Sequence, residues 1–74
     1  MNKIKDRRNE LVMTQAELAE ASGVSLKTVV KIETGKIQNF HPKTLRSLAT
    51  VLGWVPAELY HYIKEAQIGN QTRG

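Results

Sequence analysis

Apolar residues recur along the chain at intervals of three and four, the spacing that places side chains on one face of an α-helix. The clearest set, at positions i, i+3, i+4 and i+7, consists of Leu45, Leu48, Ala49 and Leu52. Pro42 suits the first turn of this helix, and Gly53 suits its end. No segment shows the sustained alternation of period two that is typical of strands. The pattern therefore predicts an all-α, compact five-helix domain.

A first helix is predicted from about Lys3 to Val12, and one charged residue falls on its inner face. Ile4, Leu11 and Val12 supply the apolar positions of that face, and Arg8 lies among them. An arginine there needs a partner of opposite charge, because burying an unpaired charge costs much free energy.

The second helix is short and has clear signals at both ends. Thr14 and Glu17 have the spacing of a capping box, so the helix is predicted to begin at Gln15. Gly23 is predicted to end it, because glycine adopts positive φ without penalty. Only three or four residues then separate it from the next helix.

Ser25 can cap a third helix that ends near Glu33. Glu33 follows Val29 by four residues and shares its inner face. The opposite charges of Arg8 and Glu33 therefore predict a salt bridge between the first and third helices, with Arg7 as the rival partner for Glu33.

A fifth helix is predicted to begin at Pro56. Its apolar stripe, together with two residues just before it, consists of Trp54, Val55, Leu59, Tyr62, Ile63 and Ala66. These residues can present more apolar surface than the core of one small domain buries. The polar run after Ile68 has nothing to bury, so the chain is predicted to be one domain over residues 1–68 with a disordered tail over 69–74.

Length and composition narrow the class of protein. A chain of 74 residues makes one domain, and it has no cysteine with which to form a disulfide or a cysteine-ligated zinc site. His41 and His61 alone do not make a metal site, so no cofactor is expected. No apolar run approaches the roughly 20 residues of a membrane span, and the N-terminus lacks a signal peptide's apolar segment, so a cytoplasmic location is expected. No carboxylate pair or nucleophile–base couple has usable spacing, and an enzyme is not expected.

The positive charge is concentrated in the middle of the chain. Eleven Lys and Arg against seven Asp and Glu give a net charge of +4. From Ser25 to Arg46 the only acidic residue is Glu33, whereas the basic residues are Lys27, Lys31, Lys36, Lys43 and Arg46. This distribution favours an anionic partner, although lysines that only keep a helical surface soluble give the same composition.

Residues 14–35 follow the pattern Thr-Gln-x-x-Leu-Ala-x-x-x-Gly-Val-Ser-x-x-Thr-Val-x-x-Ile-Glu-x-Gly. This pattern resembles the helix-turn-helix domain of phage repressor and Cro proteins and their bacterial relatives. The resemblance extends from about Ile4 to Tyr60. It implies double-stranded DNA as the partner, with the third helix in the major groove and the second crossing the backbone. It also implies the salt bridge between Arg8 and Glu33.

Carried onto this chain, the resemblance assigns candidate DNA contacts. Those expected at base edges are Ser25, Leu26, Lys27, Thr28 and Lys31. Those expected at phosphates are Gln15, Lys36, Asn39 and Lys43. Three alternatives stay open. Leu26 can pack under Phe40 or the first helix, and Lys31 can bind a phosphate. Lys36, Asn39 and Lys43, in the loop after the third helix, can simply be solvated.

The function expected is a sequence-specific regulator, a repressor that binds a near-palindromic operator as a homodimer. The candidate dimer interface consists of Trp54, Val55, Tyr62 and Ile63, which can instead complete the monomer's core. The alternative is the antitoxin of a toxin–antitoxin pair, in which Tyr60, Tyr62 and Ile63 would bind a toxin protein.

Overall fold

The computed structural model describes residues 2–36 and 41–72, and it gives side-chain surroundings for these residues up to Ala66. Five helices follow one another: α1 (Lys3–Glu10), α2 (Gln15–Ser22), α3 (Leu26–Glu33), α4 (Pro42–Leu52) and α5 (Pro56–Thr72). The described part of the chain contains no strand, so the predicted all-α, five-helix fold is confirmed.

The helix ends follow the local signals of the sequence. At α2, the Thr14 hydroxyl accepts the Glu17 amide at 3.0 Å, and the Glu17 carboxylate accepts the Thr14 amide at 2.8 Å. This reciprocal pair satisfies two amides that the helix itself leaves without partners. Gly23 closes the other end of α2 with φ of 71°, a conformation that costs most residues free energy. Pro42 occupies the first turn of α4, and Gly53 follows its end.

The first helix is shorter than the apolar spacing predicts. It ends at Glu10, and the chain then turns through Val12, which has φ of 56°. Leu11 is 37% exposed and Val12 is 87% exposed, so placing both on the inner face was wrong. The turn lets the carbonyl of Met13 accept a hydrogen bond from Arg8 Nη1 at 2.7 Å, immediately before α2 begins.

One apolar core joins all five helices. Its buried members are Ile4, Leu18, Ala19, Val29, Ile32, Leu48, Ala49, Leu52, Leu59 and Ile63. α2 packs against α3 and α4, while α5 packs against α1, α3 and α4. The inner face of α3 thus packs against α2 and α5.

The last helix extends further than the apolar stripe indicates. Its backbone is helical to Thr72, four residues past Ile68, the last residue of the predicted domain. Residues 73 and 74 lie outside the described residues, and the division into a domain and a disordered tail stays a prediction.

Candidate nucleic-acid interface

The helix α3 has two faces of opposite character. Val29, Ile32 and Glu33 are buried on the inner face. Lys27 and Lys31 are exposed on the outer face. They lie one turn apart, so two positive charges project from the same side of the helix. The single acidic side chain of α3, Glu33, is buried on the inner face, so α3 itself offers these lysines no exposed negative charge.

Leu26 and Val30 also reach the surface of α3. Leu26 is 48% exposed and Val30 is 37% exposed. About half of the Leu26 side chain is therefore accessible to a ligand, and Phe40, one of its two alternative neighbours, lies outside the described residues.

Two hydroxyl groups meet at the start of α3. Ser25 Oγ accepts the Thr28 amide at 3.1 Å and lies 2.9 Å from Thr28 Oγ1. One hydroxyl donates to the other, which leaves the second hydroxyl proton available to an external acceptor. The first amides of α3 point the same way, because a helix has no internal acceptors for them. This end of α3 can therefore donate to a base edge or a phosphate.

A salt bridge fixes the far end of α3 to α1, as the sequence predicts. Arg8 Nε donates to Glu33 Oε2 at 2.6 Å, and Arg8 Nη2 donates to Glu33 Oε1 at 3.1 Å. Both residues are buried, with 7% of Arg8 and 6% of Glu33 exposed. The hydrogen bond to Glu33 and its charge raise the pKa of the Arg8 guanidinium, although burial acts in the opposite direction. Arg7, the rival partner, pairs instead with Glu10.

Two further residues donate hydrogen bonds to Glu33, and sequence reasoning did not find them in this role. Gln15 Nε2 donates to Glu33 Oε1 at 3.1 Å. The side-chain amide of Asn2 donates to the backbone carbonyl of Glu33. The bonds link the end of α3 to the start of α2 and to the cap of α1. Spacing along the chain carries no signal for them, because the residues are 18 and 31 positions apart.

Gln15 is thereby held at the start of α2, where the sequence placed a phosphate contact. Its side-chain nitrogen carries two protons, and the bond to Glu33 uses one. The remaining proton and the first amides of α2 can donate to an anion.

The other predicted phosphate contacts follow α3 in the chain. Lys36 and Lys43 are exposed, and Asn39 lies outside the described residues. Lys43 lines a cleft of about 500 Å³ together with Gly23 and Val24, which form the turn before α3. The cleft therefore places Lys43 beside the turn that leads into α3.

The four residues predicted at a dimer interface have different surroundings. Ile63 is fully buried in the core of the chain, so its assignment to an exposed interface was wrong. Trp54 and Tyr62 are half-buried, with ring centroids 4.8 Å apart. Val55 is 66% exposed. Leu59, the core alternative for this stripe, is fully buried.

The same face of α5 carries a tyrosine with an altered proton affinity. Removal from water, followed by the charge of Glu58, raises the pKa of Tyr62 above its usual 10.0. The Tyr62 hydroxyl donates to Glu58 at 3.3 Å, and Lys3 lies 5.5 Å from the ring centroid.

The described residues form neither a membrane span nor a metal site. These residues include no helix long and apolar enough to cross a membrane. They also include no group of three or more His, Cys, Asp or Glu side chains that could hold a metal ion.

The family model described as helix-turn-helix matches residues 4–60 of the chain. Residues 4–60 hold all of α1 except Lys3, all of α2 to α4 and the first turn of α5, and they include every described candidate DNA contact. No similar curated protein and no similar solved structure was found.

Proposed function

Because the chain belongs to the helix-turn-helix family, a family of DNA-binding transcription regulators, we propose that it is a sequence-specific repressor that binds a near-palindromic operator as a homodimer. The proposed site of action is the cytoplasm. The family is generally non-enzymatic, and the proposal needs no catalytic step.

The observation that carries the proposal is the outer face of α3. A helix that lies in the major groove needs one face anchored to its own domain and another free to reach base edges. Val29 and Ile32 supply the anchor, each only 1% exposed. Lys27 and Lys31 project from the free face, where they can donate to the O6 and N7 acceptors of guanine. Two like charges one turn apart also disfavour the isolated helix slightly, and a polyanion relieves that repulsion.

Phosphate contacts at both ends of α3 would hold the helix in register. Gln15 with the amides at the start of α2, and Lys36, would bind phosphates near the end of α3, whereas Lys43 would bind another beside the turn that precedes α3. Contacts of this kind orient the protein and do not read sequence. The bond from Gln15 to Glu33 supports this arrangement, since it connects the phosphate contact directly to α3.

A dimer would double the number of base pairs read. We place the interface at Val55, with the partly exposed Trp54 and Tyr62 beside it. Two copies related by a two-fold axis would set their α3 helices about 34 Å apart, one turn of B-DNA. Val55→Glu is then expected to weaken association by burying an unpaired charge in the interface.

Selection of bound sites from random duplex DNA tests the proposal. We expect one enriched half-site sequence that is repeated in inverted order. Binding without enrichment of any sequence would show phosphate contacts only and would contradict direct readout. A single, unrepeated half-site, together with a monomer mass at all concentrations with and without DNA, would contradict the dimer.

The antitoxin alternative uses the same exposed surface for another protein. Val55 and Tyr60, which is 45% exposed, would then contact a toxin. Stoichiometric co-purification of one endogenous protein, lost in Val55→Glu, would favour this alternative over the homodimer.

A further inference from the structure

The outer face of α3 carries an apolar strip next to its two lysines. Leu26 and Val30 are one helical turn apart. Leu26 is already a candidate base contact, whereas Val30 is not among the candidate DNA contacts. At 100° per residue, this strip lies beside the strip of Lys27 and Lys31. Both apolar side chains remain partly exposed, at 48% and 37%.

We infer that Leu26 and Val30 read the C5-methyl groups of thymines, so that the operator carries thymines beside the base pairs contacted by Lys27 and Lys31. This inference rests on the proposed function and names a specificity-determining pair within it. The thymine methyl is the apolar group that the major groove displays, and it lies among the acceptors that lysines bind.

A protein partner fits this strip less well than DNA does. Two side chains on one helical turn supply far less than the roughly 800 Å² that each partner contributes to a standard protein interface. A protein that covered Leu26 and Val30 would also meet the adjacent lysines. The DNA major groove offers apolar methyls and negative charge side by side, which is what this face complements.

The spacing of the strip predicts the spacing of the thymines. Four residues of helix advance about 6 Å, which corresponds to about two base-pair steps of roughly 3.4 Å. Leu26 and Val30 should therefore contact methyls that are at most about two base pairs apart in one half-site.

Uracil substitution tests the inference, because deoxyuridine differs from thymidine only by this methyl. The probes are duplexes of the enriched sequence, and each probe carries one deoxyuridine in place of one thymine. Together the probes cover every thymine of both half-sites. Binding is measured by fluorescence anisotropy. We expect the Kd to rise about fourfold at one or two neighbouring positions, the factor that corresponds to burying one methyl group. In Leu26→Ala or Val30→Ala, one of these positions should lose its sensitivity to the methyl.

Val12→Ala is the matched control, because Val12 is 87% exposed and lies outside α3. It should keep the full sensitivity to uracil. Circular dichroism of each variant would establish that it is folded.

Each other outcome has a distinct meaning. If no sequence is enriched, the proposed function itself fails. If a sequence is enriched but uracil changes nothing, or both alanine variants keep the wild-type sensitivity, only the inference about the methyls is overturned. It is overturned as well if Leu26→Ala and Val30→Ala reduce self-association without DNA, because the strip would then contact a second copy.

Discussion

Replacing Glu33 with alanine should destabilise the fold far more than removing an exposed glutamate. The Glu33 carboxylate accepts two hydrogen bonds from Arg8 and one from Gln15. Its side chain is only 3% exposed, and that of Arg8 only 8%. Glu33→Ala would leave a buried guanidinium whose charge is no longer neutralised. Breaking a buried pair in this way costs about 3–5 kcal/mol.

That loss is large relative to the stability of a chain of this size. A domain of 74 residues is expected to be stable by about 4–11 kcal/mol. One kcal/mol shifts the melting temperature of such a domain by about 4–8 °C, so Glu33→Ala should lower Tm by at least about 12 °C. Urea unfolding followed by circular dichroism measures the free energy, and thermal unfolding measures Tm.

Glu10→Ala is the matched control. Glu10 pairs with Arg7 at 3.2 Å, but its side chain is 66% exposed and that of Arg7 is 33% exposed. An exposed pair contributes about 0.2–1 kcal/mol, so this variant should unfold close to the wild type. Equal losses in Glu10→Ala and Glu33→Ala would show that burial does not set the cost.

A double variant separates the charge from the packing. Arg8→Met combined with Glu33→Leu removes both charges and keeps apolar volume in the core, an exchange that is often neutral or stabilising. It should therefore recover most of the loss seen in Glu33→Ala. The reasoning is refuted if Tm is unchanged in Glu33→Ala, or if the double variant is no more stable than Glu33→Ala.

Three further predictions concern other parts of the molecule. Gln15→Ala should weaken binding to all enriched sites by a similar factor and leave their ranking unchanged, because a phosphate contact reads no sequence; a changed ranking in competition assays would argue for a base contact. Gly23→Ala should cost about 1–2 kcal/mol in urea unfolding, because its φ is 71°, whereas Gly23→Asn should cost less; equal stability of Gly23→Ala and the wild type would contradict the strained turn. The raised pKa of Tyr62 means that the fold favours the neutral phenol, so its contribution to stability is present below pH 10.0 and is lost as pH rises through the higher folded value. Tyrosinate absorbance should contain a component that titrates above pH 10.0 and is absent in Tyr62→Phe; if that component remained in the variant, it would not belong to Tyr62.

The sequence predicts those features of the fold that depend on neighbouring residues. The capping box of Thr14 and the glycine stop at Gly23 act within one turn of helix, so the bounds of α2 can be read directly. The end of α1 is different. Leu11 and Val12 continue the helical spacing with no glycine to stop it, yet the chain turns there and brings the Met13 carbonyl to Arg8. The spacing of apolar residues carries no signal for this bond between a side chain and the backbone, so it does not predict where α1 ends.

In the candidate site, too, the sequence predicts some contacts and not others. Charges on inner faces have few possible partners, which is why Arg8 and Glu33 could be paired from the sequence. The bond from Gln15 to Glu33 joins two helix ends that periodicity does not bring together. An apolar stripe also does not say what covers it: Ile63 lies in the core, whereas Val55 on the same stripe is 66% exposed.

The most direct test of the account compares the sequence enriched from random duplex DNA by the wild type with that enriched by Lys27→Ala. Lys27 projects from the outer face of α3 and is proposed to read one base pair. The account predicts that the variant's motif loses its preference at one G·C position and keeps the others. An identical motif from both proteins, or a loss of affinity without a change of motif, would contradict the claim that this face of α3 reads DNA sequence.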